Sequence, residues 1–391
     1  MESILGSCAL PAPKKLTTRG RNGAVSASAS SSICFSTASA PFGGGRVYSS
    51  GGSHFGKLVA RRNKTQKRKP CVPQSVVAVS AKMGGAVEVL VQNEPLMELS
   101  EGQTQFFHRL PAGLRMEVIC QKASANGDSS RVPLVFVHGS YHGAWCWACF
   151  WMPYFAARGH DCYAISLLGQ GASDMPSGKV SFSLQSHAGD LAHFIKHNLN
   201  APPVLIGHSF GGLIVQWFFP PSTKGREEPF PSIAAAALLC STPPTGNGPM
   251  VKRFIKRDLF SSLQIVLSLA AKMFGTSLSI CRKSFFSPDM PEAEVRKYQQ
   301  VLKRSSRCPM IDLQKLNDSL PLPKLQSPAL PVCVLAAEND FIVDLEGSQE
   351  TAEWYGTEPV VITGSGHDIM LDSAWEKAAE ALQSWLNGQA L

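Results

Sequence analysis

The sequence lacks a long apolar run in its first 80 residues, a regular spacing of cysteines, and an excess of positive charge beyond those 80 residues. Without such a run, the N-terminal segment is not expected to be a secretory signal or a membrane anchor. The 11 cysteines follow neither a disulfide framework nor a zinc-finger pattern, which favours free thiols in a reducing compartment. One pair, Cys146 and Cys149, has C-x-x-C spacing; we interpret it as two small packed residues, with a redox pair as the alternative.

The basic charge of the chain is concentrated in its first 80 residues. They contain 12 of the 37 Lys and Arg residues but only one of the 29 acids, Glu2, so the rest of the chain holds 25 basic and 28 acidic residues. This serine-rich, acid-poor composition resembles a plastid transit peptide that is removed near Ala78 to Gly85, with mitochondrial import as the weaker alternative. A basic arm that binds nucleic acid or membranes through residues 61–69 is disfavoured, because the acid depletion extends over the whole segment. We expect no nucleic-acid partner.

A serine flanked by glycines stands between two apolar segments. Gly207-His208-Ser209-Phe210-Gly211 follows Pro203 to Ile206, which predicts a buried strand, and precedes Leu213 to Phe219, which predicts a helix. A tight strand-to-helix turn with small residues on either side of a serine is a nucleophile elbow. Ser209 is therefore the predicted nucleophile, although this motif taken alone also fits an ordinary turn serine.

A second motif at a strand end predicts where the reaction's negative charge would be bound. Pro133 to Val137 predicts a buried strand that ends in His138-Gly139-Ser140. A serine nucleophile produces an oxyanion, and each preorganised N–H donor lowers that barrier by about 3 kcal/mol. We predict the backbone N–H groups of Ser140 and Phe210 as these donors; a plain strand-ending turn is the alternative for this loop.

The acid and the base are predicted downstream, in the order serine, acid, histidine. Pro331 to Ala337 predicts a buried strand whose following loop contains Asp340, and Pro359 to Thr363 predicts a last strand whose following loop contains His367. His367 is the predicted general base and Asp340 the acid that orients it.

Other carboxylates compete for the role of Asp340. Asp344 is interpreted as the cap of the next helix, and Glu338 stands closer to the strand. Asp368 follows the base directly and is expected to point away from it. The loop after the preceding strand, residues 241–244, contains no carboxylate.

Together these motifs resemble the α/β-hydrolase superfamily over about residues 105 to 390. The stretch from His138 to Trp145 is similar to that of plant methylesterases and hydroxynitrile lyases. The lyases carry a threonine in place of Gly139 and a lysine in place of Asp368, so cyanohydrin cleavage is disfavoured. Dehalogenases and epoxide hydrolases of this fold use an aspartate at the elbow, whereas Ser209 implies acyl transfer through an acyl-enzyme.

The alternation of strands with helices predicts an α/β fold with a mostly parallel central sheet flanked by helices, opened by a short antiparallel pair between Gln105 and Cys120. The predicted divisions are a transit peptide at 1–80, a linker at 81–104, the first part of the core at 105–246, a helical cap at 247–326 and the second part of the core at 327–391. An insertion of this length is too long for a loop.

The cap is expected to form the acyl pocket. Its helices are predicted at Leu263 to Phe274 and Pro291 to Arg304, and Val251 to Met310 contains 12 Lys and Arg residues against four acids. A solvated helical face is the favoured interpretation of this charge. The alternative is peripheral contact with anionic lipid through the basic cap, with an apolar face formed by Ile265, Val266, Leu269 and Phe274.

The sequence therefore predicts a plastid serine hydrolase of carboxylic esters that needs no cofactor and no metal. Its expected substrates are small-molecule or lipid esters, with lipophilic esters preferred because the cap is apolar inside and basic outside. A methylesterase acting on small soluble esters is the nearest alternative. A non-catalytic receptor that keeps the hydrolase fold is a third.

Overall fold

The structure, a computed structural model, describes residues 96–124, 131–177, 182–219, 230–257, 269, 271–324 and 330–391. All of them belong to one compact unit, Gly85–Leu391. The predicted transit peptide, most of the predicted linker, and Ile265 and Val266 lie outside the described residues. None of the helices found in these ranges is long and apolar enough to cross a membrane.

The described residues form one sheet of eight strands, β1 Gln103–Arg109, β2 Arg115–Gln121, β3 Leu134–Val137, β4 Cys162–Ile165, β5 Val204–His208, β6 Ala235–Leu239, β7 Val332–Ala337 and β8 Pro359–Ile362. Their order across the sheet is β1-β2-β4-β3-β5-β6-β7-β8. The pairings β1 with β2 and β2 with β4 are antiparallel, and all the others are parallel. The predicted α/β fold, with its mostly parallel sheet and opening antiparallel pair, is confirmed.

Helices cover both faces of the sheet. Successive side chains of a strand point to opposite faces, and in the central strands both sets of side chains are apolar and buried. Leu134 and Phe136 of β3 belong to one buried cluster, and Val135 and Val137 belong to a second. The α-helices are α1 Trp145–Ala148, α2 Trp151–Ala156, α3 Leu184–Asn198, α4 Phe210–Gln216, α5 Gly248–Arg257, α6 Leu278–Phe285, α7 Glu292–Ser305, α8 Leu313–Asp318, α9 Leu345–Trp354 and α10 Trp375–Gly388, with a 3-10 helix at Met273–Gly275.

The segment between β6 and β7 contains α5 to α8 and the 3-10 helix. The helix predicted over Leu263 to Phe274 is wrong at its C-terminal end, because Lys272 has left-handed backbone angles and Met273–Gly275 is a 3-10 helix. Residues 263–268 and 270 lie outside the described residues. The cap boundaries remain a prediction.

Two details change the predicted lipid-facing surface of this segment. Phe274 is only 1% exposed, and its ring lies 4.8 Å from that of Tyr141 and 5.2 Å from that of Phe285. Assigning Phe274 to an exposed apolar face is therefore wrong, since it packs in an aromatic cluster beneath the surface. Arg253 is bound to the buried carboxylate of Asp344 by two hydrogen bonds, of 2.8 and 2.6 Å, so its charge is already neutralised.

Candidate active site

Ser209 lies at the sharp turn between β5 and α4. Its φ of 53° and ψ of −119° place a non-glycine residue in sparsely populated backbone space, which costs about 1–3 kcal/mol. The turn is held by a hydrogen bond of 2.9 Å from Ser209 N–H to the carbonyl oxygen of Leu239 on β6. A Cβ atom at Gly211 would lie 2.4 Å from the carbonyl oxygens of Val137 and His138, so only glycine fits. Ser209 thus has the strained geometry expected of a nucleophile elbow.

The loop after β3 packs directly against this turn. A Cβ atom at Gly139 would lie 2.8 Å from Ser209 Cβ, so a threonine in this position would collide with the serine. Ser140 and Phe210 line the same cavity as Ser209. Among the described residues the Ser140 amide donates no hydrogen bond, and Phe210 opens α4, where an amide has no acceptor within the helix. The two amides predicted for the oxyanion hole therefore have no competing acceptor.

The predicted acid and base form a buried pair. His367 Nδ1 lies 2.8 Å from Asp340 Oδ2, and the two side chains are 2% and 1% exposed. The other carboxylate oxygen of Asp340 accepts hydrogen bonds from the amides of Ile342 and Val343, at 2.8 and 2.9 Å. Burial alone would lower the pKa of His367, but the charge and hydrogen bond of Asp340, with the charge of Asp368, raise it above its ordinary value.

The structure brings His367 and Ser209 to one cavity without a direct hydrogen bond between them. Hydrogen bonds between a nucleophile and its base often tighten only in the Michaelis complex. With Nδ1 bound to Asp340, the remaining ring nitrogen, Nε2, is the one available to the serine.

The rival carboxylates have other partners. Asp344 caps α9 through Gly347 N–H at 2.9 Å and binds Arg253. Glu338 accepts from Gly364 N–H at 2.8 Å. Neither is hydrogen bonded to His367, so the geometry favours Asp340 among the three acids.

Two further histidines hold the site while staying neutral. Burial lowers the pKa of His138 to about 3, and its Nε2 accepts from Leu167 N–H at 3.0 Å. Burial also lowers the pKa of His208 well below its usual value. The Nε2 atom of His208 donates to the backbone carbonyl of His367 at 2.9 Å. These rings therefore act as hydrogen-bonding supports rather than as charges.

The sequence did not predict a second buried histidine–aspartate pair. His142 Nε2 lies 2.8 Å from Asp368 Oδ2, with side-chain exposures of 1% and 0%, and His142 Nδ1 lies 2.8 Å from the carbonyl oxygen of Ser140. A carboxylate oxygen of Asp368 also lies within 4.8 Å of a ring nitrogen of His367, and its charge helps to raise the pKa of that ring, so the expectation that Asp368 points away from His367 is wrong. Through His142, Asp368 braces the loop that contains Ser140. Both residues stand within the motifs, but no local pattern links positions 226 apart.

The wall of the cavity comes from the strand-end loops and from the segment between β6 and β7. Its volume is about 510 Å³. Ser209 and His367 lie in this wall. Most of the other side chains are apolar, including Met250, Val251, Phe254, Leu269, Phe285, Met310, Ile311, Leu313 and Phe341.

The donor atoms near the base suit acid–base chemistry better than metal binding. Two groups of three lie within ligand distance of one another, and both include His367. His367 Nδ1 is bound to Asp340, and burial raises the pKa of the Cys240 thiol well above its usual value, which keeps it protonated and a poor ligand.

Burial also raises the pKa of the two thiols of the C-x-x-C pair, that of Cys149 to about 12 and that of Cys146 well above its usual value. These shifts favour two packed thiols over a reactive pair.

Comparison with protein families gives a match over residues 134–381 to the model described as the alpha/beta hydrolase family. Among solved structures, an esterase from Exiguobacterium antarcticum is 20% identical and superposes with a TM-score of 0.54, covering 73% of this chain and 100% of that one. A bromoperoxidase from Bacillus anthracis is 15% identical, with a TM-score of 0.53 over 73% of this chain and 100% of its own. At these identities the likeness shows the fold alone.

Similar curated proteins come from plants. The probable esterase PIR7A of Oryza sativa subsp. japonica is 34% identical over 145 residues, which cover 34% of this chain and 51% of that protein. Methylesterase 1 of Arabidopsis thaliana is 38% identical over 80 residues, 20% of this chain and 30% of its own. The putative methylesterase 13, chloroplastic, of the same plant is 28% identical over 129 residues, 33% and 27% respectively. The chain thus spans about half or less of the length of these relatives.

We expect Asp368→Ala to reduce the free energy of unfolding by about 3–5 kcal/mol, because it leaves His142 buried without its partner. Urea unfolding measures the loss. The matched control, Asp289→Ala, removes an exposed carboxylate and should change stability by less than about 0.5 kcal/mol. Equal effects of the two substitutions would show that the buried pair does not stabilise the fold.

Proposed function

The chain belongs to the alpha/beta hydrolase family, and from that premise we propose that it hydrolyses carboxylic esters through an acyl-enzyme formed on Ser209. One observation carries the proposal: a serine on a strained elbow shares a cavity with a histidine whose Nδ1 is bound to a buried aspartate. This combination supplies a nucleophile, a base for its proton and a group that orients the base.

In the proposed reaction, Ser209 Oγ attacks the ester carbonyl carbon while His367 Nε2 takes the serine proton. Asp340 accepts the hydrogen bond from Nδ1–H and stabilises the imidazolium that forms. The amides of Ser140 and Phe210 bind the oxyanion. The carbon–oxygen bond to the alcohol then breaks, and His367 returns the proton to the leaving alkoxide. Water, deprotonated by the same imidazole, releases the acid and regenerates Ser209.

The lining of the cavity supports lipophilic esters as the substrate class. Its side chains are mainly apolar and aromatic, so an acyl or alcohol group with a hydrocarbon body would be desolvated on binding. A methylesterase that acts on small esters is the second candidate, favoured by the similarity to the two Arabidopsis thaliana methylesterases. A side chain at Gly139 would collide with Ser209, which supports an esterase over the lyases, since these carry threonine there.

We also propose a plastid location, for which the acid-poor first 80 residues and the chloroplastic relative give support. We also propose contact with anionic membranes through the cap, with a smaller set of residues than the sequence suggested. Val251, Lys252 and Lys256 of α5 are exposed, whereas Arg253 and Phe274 are occupied within the fold.

Ser209→Ala should abolish ester hydrolysis and labelling by a fluorophosphonate probe, with a loss in kcat on the order of 10³-fold or more, because the nucleophile is removed. The fold should persist, as checked by circular dichroism. Ser279→Ala, the same change at an exposed position of α6, is the control and should keep both activities. Hydrolysis retained by a verified Ser209→Ala protein would refute the acyl-enzyme.

Asp340→Asn should lower kcat by about 10²- to 10⁴-fold through loss of orientation and charge support. It should also move the acid limb of the pH–rate profile. His367 must be neutral to act as a base, so activity falls as pH drops through its raised pKa. Without the Asp340 charge, burial lowers that pKa, and the limb should shift to lower pH. A larger loss in Asp344→Asn than in Asp340→Asn would transfer the role to Asp344.

Lys252→Gln with Lys256→Gln should weaken binding to anionic vesicles, by about 1 kcal/mol for each charge. Binding of the unaltered protein should fall steeply with salt, since the Debye length contracts from about 10 Å at 0.1 M to about 3 Å at 1 M. Arg253 is left intact because its loss would unpair Asp344. Lys377→Gln, on the exposed side of α10, is the control in this sedimentation assay. Absence of vesicle binding by the unaltered protein would leave the cap as a solvated lid.

A further inference from the structure

Two cations line the cavity that contains Ser209. They are Lys272, before the 3-10 helix, and Arg307, in the loop after α7. Both side chains are exposed, whereas Ser209 is only 8% exposed. Among the described residues that line the cavity there is no aspartate or glutamate. The cavity therefore has an apolar body, a buried nucleophile and a rim with positive charge.

Both cations are anchored by backbone carbonyls. Lys272 Nζ donates to the carbonyl oxygen of Ser306 at 2.9 Å, and Arg307 Nη2 donates to that of Ser173. Each side chain keeps further N–H groups after this contact. The hydrogen bonds hold the two charges in place before any ligand arrives, so less conformational entropy would be lost on binding.

Neither charge is neutralised within the described part of the chain. No carboxylate lies within ion-pair distance of Lys272 or Arg307 there. Burial would raise the pKa of Asp174, but Arg115, by hydrogen bonds and charge, and Arg307, by charge, lower it. Asp174 is already bound by Arg115 through contacts of 3.1 and 3.0 Å. Arg307 therefore attracts Asp174 from a distance but forms no ion pair with it.

The charges of Lys272 and Arg307 both act on one residue of the cavity wall, Cys308. Burial raises the pKa of the Cys308 thiol, and the positive charges of Arg307 and Lys272 both oppose that increase. Cys308 itself lines the cavity. The wall at Cys308 consequently has a positive potential contributed by two separate segments, and an anion bound there would interact with both.

We propose that this site takes esters that carry a second, anionic group, a carboxylate or a phosphate, which binds at the Lys272 and Arg307 rim while the ester carbonyl reaches Ser209. The inference rests on the proposed esterase function and narrows its substrate class. A neutral ester of equal length would fill the apolar body but leave both cations without a partner. Lys272 and Arg307 are thus specificity-determining residues.

The experiment compares two substrates with the same scissile group and chain length, mono-4-nitrophenyl suberate, which is anionic, and 4-nitrophenyl octanoate, which is neutral. For the unaltered protein kcat/KM should favour the suberate by about 3- to 10-fold, mainly through KM, which is the range expected for two solvent-exposed charge contacts. The preference should shrink with salt. Lys272→Gln and Arg307→Gln should each reduce the ratio by about two- to threefold, and Lys272→Arg should restore it.

The control variants are Lys303→Gln and Arg304→Gln, which remove equal charges from exposed positions at the end of α7 that do not line the cavity. They should leave the ratio unchanged. No preference for the suberate, or equal effects of rim and control variants, would overturn the proposal.

A binding measurement separates this outcome from failure of the esterase itself. In the Ser209→Ala background, which cannot turn over, calorimetric titration should show tighter binding of the suberate than of the octanoate, and Lys272→Gln should reduce the difference by about two- to threefold. If neither ester is hydrolysed but this difference is present, the anion site stands and the esterase fails; if the difference is absent, the anion site fails.

A last arm identifies the source of the anion. Fatty-acid release from phosphatidylglycerol vesicles, relative to phosphatidylcholine vesicles, assigns the site to a lipid phosphate. Suberate selectivity without such release assigns it to soluble anionic esters.

Discussion

The close approach of backbones around Ser209 is the constraint on which the rest of the site depends. A Cβ atom at Gly207 would lie 2.6 Å from Gly212 Cα, and one at Gly211 would meet the carbonyls at the end of β3. Because β5, α4 and β3 meet without side chains between them, the turn keeps its strained backbone angles, and the loop after β3 packs directly against the serine. The proposed acid and base, Asp340 and His367, lie on the loops after β7 and β8, at the same edge of the sheet.

That arrangement explains how much the sequence could predict. Central parallel strands are buried on both faces, so β3, β5 and β7 stand out as continuous apolar runs, and the loops at their carboxyl ends meet at one edge. Ser209 and Asp340 could therefore be assigned from the ends of β5 and β7. His367 follows β8, whose residues are partly exposed, and its assignment depends on the expected order of serine, acid and histidine. Contacts between distant segments leave no such pattern. The pairing of His142 with Asp368, and that of Arg253 with Asp344 91 residues away, could not be predicted. The burial of Phe274 was missed because an apolar helical face looks the same whether it meets a core or a lipid.

Charge is distributed unevenly around the base. His138 and His208 are kept neutral by burial, while Asp340 and Asp368 place negative charge near His367 and raise its pKa. The surroundings therefore favour the protonated ring, the form that the proposed reaction produces midway. Positive charge stands further out, at the rim of the cavity. An anionic group bound at this rim would therefore interact with Lys272 and Arg307 and would not form an ion pair with the imidazolium of His367.

The hydrogen bond from His208 Nε2 to the backbone carbonyl of His367, which lies 159 residues away in the sequence, connects the turn that contains Ser209 to the loop that contains His367. His208, the residue before the proposed nucleophile, is thus hydrogen bonded to the main chain of the proposed base, and the end of β5 is joined to the loop after β8. This hydrogen bond involves no residue of the segment between β6 and β7. Substitutions within that segment could thus alter the shape of the cavity without breaking this bond, as long as they keep the hydrogen bond from Asp368 N–H to the carbonyl oxygen of Phe285, which joins the loop of His367 to the segment.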